Sequence, residues 1–264
     1  MLSASASQGA RRAPLWLAGL VPLLVVIAWY AATSLTGRFL PHQLPSPGQV
    51  GATAWQLAKD GELTRHVLAS ISRVLAGFAL GSALAIVLGT LVGLSRTAEA
   101  LIDPTLQVVR NVPSLAWVPF LLLWMGIDEA PKIVLITIGA AFPVYLNLVA
   151  GIRQTDRALL EVGQVFGLGR VALVWRIVLP SAFPYLLTGL RIAIGQSWMF
   201  LVAAELIAST RGLGFLLIDG ESTARPDIMV VGILVLALLG KLSDTALRFA
   251  ARRIVRWSDE GAAR

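Results

Sequence analysis

Long apolar runs, separated by short polar and basic segments, dominate the chain. Six stretches approach the roughly 20 apolar residues that a helix needs to cross the hydrocarbon core of a bilayer. They cover residues 15–35, 71–94, 104–126, 132–152, 182–209 and 228–250. The first run is longer than a usual signal-peptide core and is expected to stay as an uncleaved span. The pattern predicts an all-α integral membrane protein with six transmembrane helices.

The composition indicates that lipid, and not only water, surrounds the folded chain. Hydrophobic residues make up 56% of the sequence and charged residues 14%, whereas soluble domains carry about 25% charged residues. The net charge of +7 does not indicate nucleic acid, because the basic residues lie at the ends of the apolar runs and not in a stripe between aromatic residues. The expected surroundings are membrane lipid, with no nucleic-acid partner.

The basic residues also predict the orientation of the chain. If the N-terminus is cytoplasmic, Lys and Arg in the loops on that side outnumber those on the other side two to one. We therefore expect a multi-pass membrane protein with both termini on the cytoplasmic side. The predicted organisation is a cytoplasmic tail (1–14), a first span (15–35), an extracytoplasmic loop with an amphipathic helix (36–70), a core transmembrane domain (71–250) with a cytoplasmic loop (155–180), and a basic tail (251–264).

The chain offers little material for catalysis or metal binding. It has no cysteine, and its two histidines, His42 and His66, lie outside the apolar runs. An intramembrane enzyme would need clustered His, Asp, Cys or Ser on facing spans, and Ser197 has no histidine within a plausible span. We therefore expect no catalytic residues, no metal ligands and no cofactor.

The cytoplasmic loop has the pattern of a short helix, a glycine turn and a second short helix. Leu159, Val162 and Phe166 recur at helical spacing and form one apolar stripe. Gly167 can supply the positive φ with which helices commonly end, and Pro180 is expected to end the second helix. Such an element would lie along the membrane surface with its polar side and its turn towards the cytoplasm.

This loop resembles a signature of the membrane subunits of ATP-binding-cassette (ABC) importers. The signature reads Glu-Ala-Ala, three residues, Gly, nine residues, Ile, one residue, Leu-Pro, and the required offsets hold Glu161, Gly167, Ile177, Leu179 and Pro180. Five such matches arise by chance at roughly one start position in a million. Val162 and Gly163 replace the two alanines, and Gly163 keeps its position small.

The resemblance implies a type I ABC importer-like fold in the bacterial cytoplasmic (inner) membrane, with a cytoplasmic coupling helix between the fourth and fifth spans. In that family the loop docks in a groove of a cytoplasmic ATPase subunit. The implied partners are two copies of that ATPase, an extracytoplasmic solute-binding protein and a second copy of this chain. The alternative for the loop is an amphipathic hairpin that only anchors it to the membrane.

Four further segments resemble the branch of this family that handles sulfonates, taurine and nitrate. They are LPSP at 44–47, PSLAWVP at 113–119, LWMGI at 123–127 and LGKLSD at 239–244. With them the resemblance extends over most of the chain. It implies a small and anionic solute.

Polar groups within the apolar runs are the candidates for a translocation pathway, because such groups are costly at bilayer depth. The third run contributes Asn111, Pro113 and Trp117, and its prolines break the helix either to line a cavity or only to kink the packing. The fifth run contributes Arg191, Gln196, Ser197 and Glu205. Arg191 either attracts an anion or forms a structural salt bridge, and the salt bridge is favoured. Glu205 either shapes the mouth of the pathway or bonds a neighbouring backbone.

An ion-coupled secondary transporter is the alternative function. Such proteins commonly show paired repeats, corresponding broken helices and a carboxylate near the bilayer midplane. The sequence shows no convincing internal repeat. The importer permease remains the favoured interpretation.

Overall fold

The computed structural model describes residues 15–36, 39–40 and 42–254. Within these residues every regular element is helical, which confirms the predicted all-α class. The predicted N-terminal tail (1–14) and residues 255–264 of the basic C-terminal tail lie outside the described residues.

Eleven α-helices follow one another in the described part of the chain. They are α1 (Leu15–Tyr30), α2 (Pro47–Lys59), α3 (Glu62–Leu94), α4 (Arg96–Asn111), α5 (Val118–Met125), α6 (Glu129–Arg153), α7 (Arg157–Val165), α8 (Arg170–Leu173), α9 (Leu179–Ala208), α10 (Leu213–Ser222) and α11 (Pro226–Ile254). Short π-helical segments extend α1 (Ala31–Leu35) and join α8 to α9 (Val174–Val178), and a 3₁₀ turn (Ser114–Trp117) precedes α5.

Four of the described helices are long and apolar enough to cross a membrane by themselves: α3, α6, the α8–α9 rod and α11. The third apolar run is broken, at the prolines that the sequence indicates. α4 ends at Asn111, and the chain bends by 87° before it continues into α5. Pro113 is a direct cause, because the residue before a proline is disfavoured in a helix, and Val112 is extended at φ −72° and ψ 123°.

α6 lies at the centre of the fold and packs along its length against both α3 and α9. Glycines on α3 permit the close approach that their spacing predicts. A Cβ on Gly81 would lie 2.5 Å from the Thr137 carbonyl oxygen of α6, and one on Gly77 would lie 2.6 Å from the Ile136 Cβ. Any larger residue at these two positions would force the helices apart.

The segment between the first two apolar runs is more helical than a loop. Ser46 and Gln49 form a reciprocal capping box at the start of α2. Val50 and Leu57 of α2 are buried against Val231 of α11. α3 begins at Glu62 although its apolar run begins only at 71, because hydropathy marks the lipid-facing part of a helix and not its polar first turns.

Candidate functional site

The predicted coupling loop folds as a short capped helix closed by a glycine turn. Asp156 caps α7, and its side chain accepts a hydrogen bond from the Ala158 N–H at 2.9 Å. At the other end the N–H of Leu168 donates to the Gly163 carbonyl at 3.0 Å, and the N–H of Gly167 donates to the Gln164 carbonyl at 2.9 Å. These two bonds, with Gly167 at φ 76°, are a Schellman motif. The turn therefore has one defined geometry.

Gly163 is the position where α7 packs on the following segment. A Cβ at this glycine would lie 2.6 Å from both Ile177 Cδ1 and Leu173 Cδ2. Both atoms are the ends of flexible side chains, which explains how the related signature accommodates alanine here. The small residue lets α7 pack closely against the helical rod that leads into α9. Glu161, on the opposite side of α7, is exposed.

The apolar stripe of α7 does not face the rest of the fold. Leu159, Val162 and Phe166 are 49%, 52% and 80% exposed. Val165 and Trp175 are also exposed. The helix packs on the following segment instead at Gly163, whose lack of a side chain leaves room for Ile177 and Leu173. The loop thus presents several exposed apolar side chains to its surroundings.

Pro180 does not end a helix, which corrects the expectation from its sequence. It lies in the first turn of α9, and the segment from Arg170 to Ile207 runs as one rod of 38 residues. Because proline has no N–H, the pattern of backbone hydrogen bonds in the helix must change near it. The change is a π turn in which the Leu179 N–H donates to the Val174 carbonyl. The loop is therefore continuous with a membrane-spanning helix.

A buried charge network lies at the other end of α6 and α9. Glu205 of α9 is 1% exposed and Arg73 of α3 is 5% exposed. The Arg73 guanidinium contacts Glu205 at 2.6 Å and Glu129 of α6 at 2.6 Å, and it donates to the Arg211 carbonyl at 2.6 Å. Lys132 contacts Glu129 at 3.1 Å. The network joins three membrane helices to the loop before α10.

Glu205 also holds the start of α10. Its carboxylate accepts hydrogen bonds from Ser70 Oγ at 2.8 Å and from the Gly214 N–H at 2.7 Å. Gly212 has φ 131°, and a Cβ there would collide with the Glu205 carboxylate. Of the two roles considered for Glu205, the geometry matches the bonding of a neighbouring backbone. Sequence reasoning missed Arg73 and Glu129, whose only signal was that each is charged within or beside an apolar run.

Arg191 of α9 pairs with Asp244 of α11. Its Nε lies 3.2 Å from Asp244 Oδ1, and Arg248 contacts the other oxygen of that carboxylate at 2.9 Å. This arrangement corresponds to the salt-bridge alternative. Ser197 is fully buried and donates to the Ala193 carbonyl at 2.8 Å, so its hydroxyl bonds its own helix.

We predict that Arg191→Gln changes stability only slightly. The pair is partly exposed, and such pairs contribute about 0–1 kcal/mol. The midpoint of thermal unfolding in detergent should therefore move little, and solute uptake should fall by less than about fivefold, since about 1.4 kcal/mol corresponds to tenfold. Asp244→Asn in the same background tests the pairing. A large and anion-selective loss of uptake with normal folding would instead assign Arg191 to the pathway.

A groove runs beside α6 and α9 at the middle of their length. Its volume is about 410 Å³, and its lining includes Arg110, Phe142, Asn147, Ile192, Gln196 and Met199. Gln196 is the predicted pathway residue that lines it. Asn111 and Pro113 are exposed at the α4 break. Trp117 is partly buried, packs against the core and has no hydrogen-bond partner for its indole N–H among the described residues.

Residues 81–256 match the family described as "Binding-protein-dependent transport system inner membrane component". The chain is 40% identical to the putative aliphatic sulfonates transport permease protein SsuC of Escherichia coli K12, over 90% of each chain. It is 35% identical to the taurine transport system permease protein TauC of the same organism, over 92% of this chain and 89% of the relative.

A more distant relative and a solved structure extend the comparison. The nitrate import permease protein NrtB of Synechocystis is 31% identical over 88% of this chain and 86% of its own length. An inward-facing structure of the MetNI methionine ABC transporter superposes with a TM-score of 0.59 at 21% identity, covering 75% of this chain and 97% of the solved one. At this identity the superposition shows a shared fold.

Proposed function

The chain belongs to the family of binding-protein-dependent transport system inner membrane components, which are the permease subunits of ABC importers, and from this premise we propose how it assembles and what it carries. Two copies form the translocation pathway. Each copy docks one cytoplasmic ATPase subunit on its α7 loop, and an extracytoplasmic binding protein delivers the solute. Both termini are cytoplasmic.

The α7 loop is the observation that carries this proposal. It combines the signature residues Glu161 and Gly167 with an apolar face that the rest of the chain leaves exposed. Exposed apolar patches of this kind mark protein or membrane contacts. α7 packs at Gly163 on the rod that begins at Arg170 and continues through the π turn into α9. A movement of α7 would therefore be transmitted along this rigid helix to the middle of the membrane. Rigid-body movement of this kind is a common way to transmit closure between subunits.

The homodimer follows from the small number of membrane helices. The described chain has four single helices able to span a membrane, or five with the bent α4–α5 pair. Its groove beside α6 and α9 is open to the surroundings of the single chain. A second copy facing the first would close a pathway between them and would present two coupling loops to two ATPases.

The solute is a small anion of the sulfonate, taurine or nitrate class. The names of the aliphatic sulfonate, taurine and nitrate permeases support this assignment. Aliphatic sulfonates are favoured among these, since the two aliphatic sulfonate permeases of Escherichia coli and Bacillus subtilis are 40% and 38% identical to this chain.

The proposal is tested with proteoliposomes that contain the permease, the ATPase and the binding protein. Uptake of radiolabelled ethanesulfonate should require ATP and all three proteins, and the ATPase should co-purify with the permease. An ion-coupled secondary transporter would instead accumulate solute on an ion gradient without ATPase. That outcome would overturn the proposal.

A further inference from the structure

Arg110 occupies an unusual place for a charged residue. It lies in the last turn of α4, one residue before the helix ends at the break in the third apolar run. Its side chain lines the groove beside α6 and α9. The break in the helix thus brings a guanidinium to the wall of a cavity.

The groove lies at about half the depth of the membrane helices. Phe142 is near the middle of α6, which has 25 residues, and Gln196 is near the middle of α9, which has 30 residues. With a rise of about 1.5 Å per residue, the groove is then about 20 Å from either end of these helices. Arg110 therefore lies beside the middle of these two helices, and it is exposed in the single chain.

Arg110 has no counter-charge among the described residues, whereas three other cations within the apolar runs have one. Arg73, Lys132 and Arg191 each contact a carboxylate. Between residues 42 and 254, no side chain forms an ion pair or a hydrogen bond with Arg110. An unpaired arginine at the centre of a bilayer costs about 2.5–3.5 kcal/mol even on insertion scales. Such a residue faces a wet cavity or a ligand, and here the cavity is present.

The rest of the groove combines polar groups with an apolar wall. The Gln196 side chain makes no hydrogen bond within the described part of the chain, so its amide donors are available. The Asn147 amide donates to the Pro143 carbonyl at 2.8 Å, which fixes its orientation. Phe142, Ile192 and Met199 supply apolar surface. The groove therefore suits a ligand with one anionic oxygen-rich end and one aliphatic end.

We propose that Arg110 and Gln196 form an anion subsite halfway along the translocation pathway, and that it takes short aliphatic sulfonates. This inference rests on the proposed function. A guanidinium presents paired N–H donors that match two oxygens of a sulfonate group. The Gln196 amide donates to the third oxygen, and the aliphatic part packs against Phe142 and Met199. The subsite gives the anion a favourable position away from both aqueous phases, where the bare charge is otherwise repelled by the low dielectric.

Transport in the complete assembly tests the role of the charge. In proteoliposomes with ATPase and binding protein, Arg110→Gln should reduce ethanesulfonate uptake at least about tenfold, whereas Arg110→Lys, which keeps the charge but loses the paired donors, should keep about a third of it. ATPase stimulation by the binding protein should stay within about twofold of wild type, because the coupling loop is untouched. Arg252→Gln, an exposed arginine at the end of α11, is the matched control and should transport normally.

Thiol labelling tests the anion subsite without transport, since the chain has no cysteine. A single cysteine is placed in the groove by Met199→Cys, and the purified assembly is treated with anionic sulfonatoethyl or cationic trimethylammonioethyl methanethiosulfonate. The anionic reagent is itself a short alkylsulfonate. The ratio of anionic to cationic labelling rates should fall at least about tenfold when Arg110→Gln is added, since one charge is removed at short range. Trp55→Cys on α2 is the control position, where the ratio should not change.

The outcomes separate this inference from the proposed function. Unchanged uptake by Arg110→Gln, or an unchanged labelling ratio at Met199→Cys, overturns the anion subsite while wild-type importer activity stands. Equal loss of uptake and of assembly in both Arg110→Gln and Arg110→Lys, with an unchanged labelling ratio, overturns it in favour of a structural role. Absence of ATP-dependent uptake by the wild-type assembly counts against the proposed function alone, because the labelling ratio does not depend on transport.

Discussion

Replacing Gly167 by valine is expected to reduce ATP-driven uptake at least about tenfold while the protein remains folded in the membrane. Gly167 has φ 76° at the end of α7, and left-handed backbone costs a residue with a Cβ about 1–2 kcal/mol, more for a β-branched one. The Schellman hydrogen bonds donated by Leu168 and Gly167 would then break or shift. A cost of about 1.4 kcal/mol already lowers the population of the native turn about tenfold relative to its alternatives. The apolar face beside the turn would then no longer fit its partner.

Gly169 provides the matched control for this variant. It lies two residues further along the same turn, but its φ is −67°. A Cβ there meets nothing within 4 Å. Gly169→Val should therefore leave uptake within about twofold of wild type, since surface substitutions usually cost less than about 0.5 kcal/mol. Equal uptake by Gly167→Val and wild type, measured at equal amounts of protein in the proteoliposomes, would remove α7 from the coupling step.

The features that sequence alone predicted are those set by local pattern. Apolar runs predicted the membrane helices, and the glycine after the Leu159 stripe predicted the turn that Gly167 makes. The direction of the stripe was not predictable, because Val162 and Phe166 are apolar whether they meet lipid, the fold or another protein. The tertiary structure adds that the stripe faces away from the rest of the fold, because α7 packs at Gly163 on Leu173 and Ile177.

The roles of charged residues within the membrane helices were also not predictable from the sequence. Arg110 and Arg191 are both isolated arginines in apolar runs, and nothing in their local sequence tells them apart. Their roles depend on whether a carboxylate from a distant helix reaches them. Asp244 lies 53 residues from Arg191 and pairs with it, whereas Arg110 lines a groove.

The effect of Pro180 was not predictable either, because it depends on a π turn that the hydropathy of the sequence does not indicate.

The network around Glu205 should contribute more to stability than any other ion pair in the described chain. Replacing Glu205 by leucine removes an acceptor from Ser70 and the Gly214 N–H, and it leaves the guanidinium of Arg73 with one carboxylate where it had two. Breaking a buried pair by removing one partner costs about 3–5 kcal/mol. We expect a large loss of monodisperse protein in mild detergent and a clearly lower unfolding midpoint.

Removal of both charges should cost less than the sum of the two single losses. The double variant Arg73→Met with Glu205→Leu leaves neither member of this ion pair buried without its partner. The double-mutant cycle should therefore give a coupling energy of about 0.5–3 kcal/mol. Arg153→Gln is the matched control, because its pair with Glu99 is about as short at 2.8 Å but exposed on both sides, and it should cost about 0–1 kcal/mol. If Glu205→Leu lowers the unfolding midpoint no more than Arg153→Gln does, the buried network does not hold α3, α6 and α9 to the start of α10.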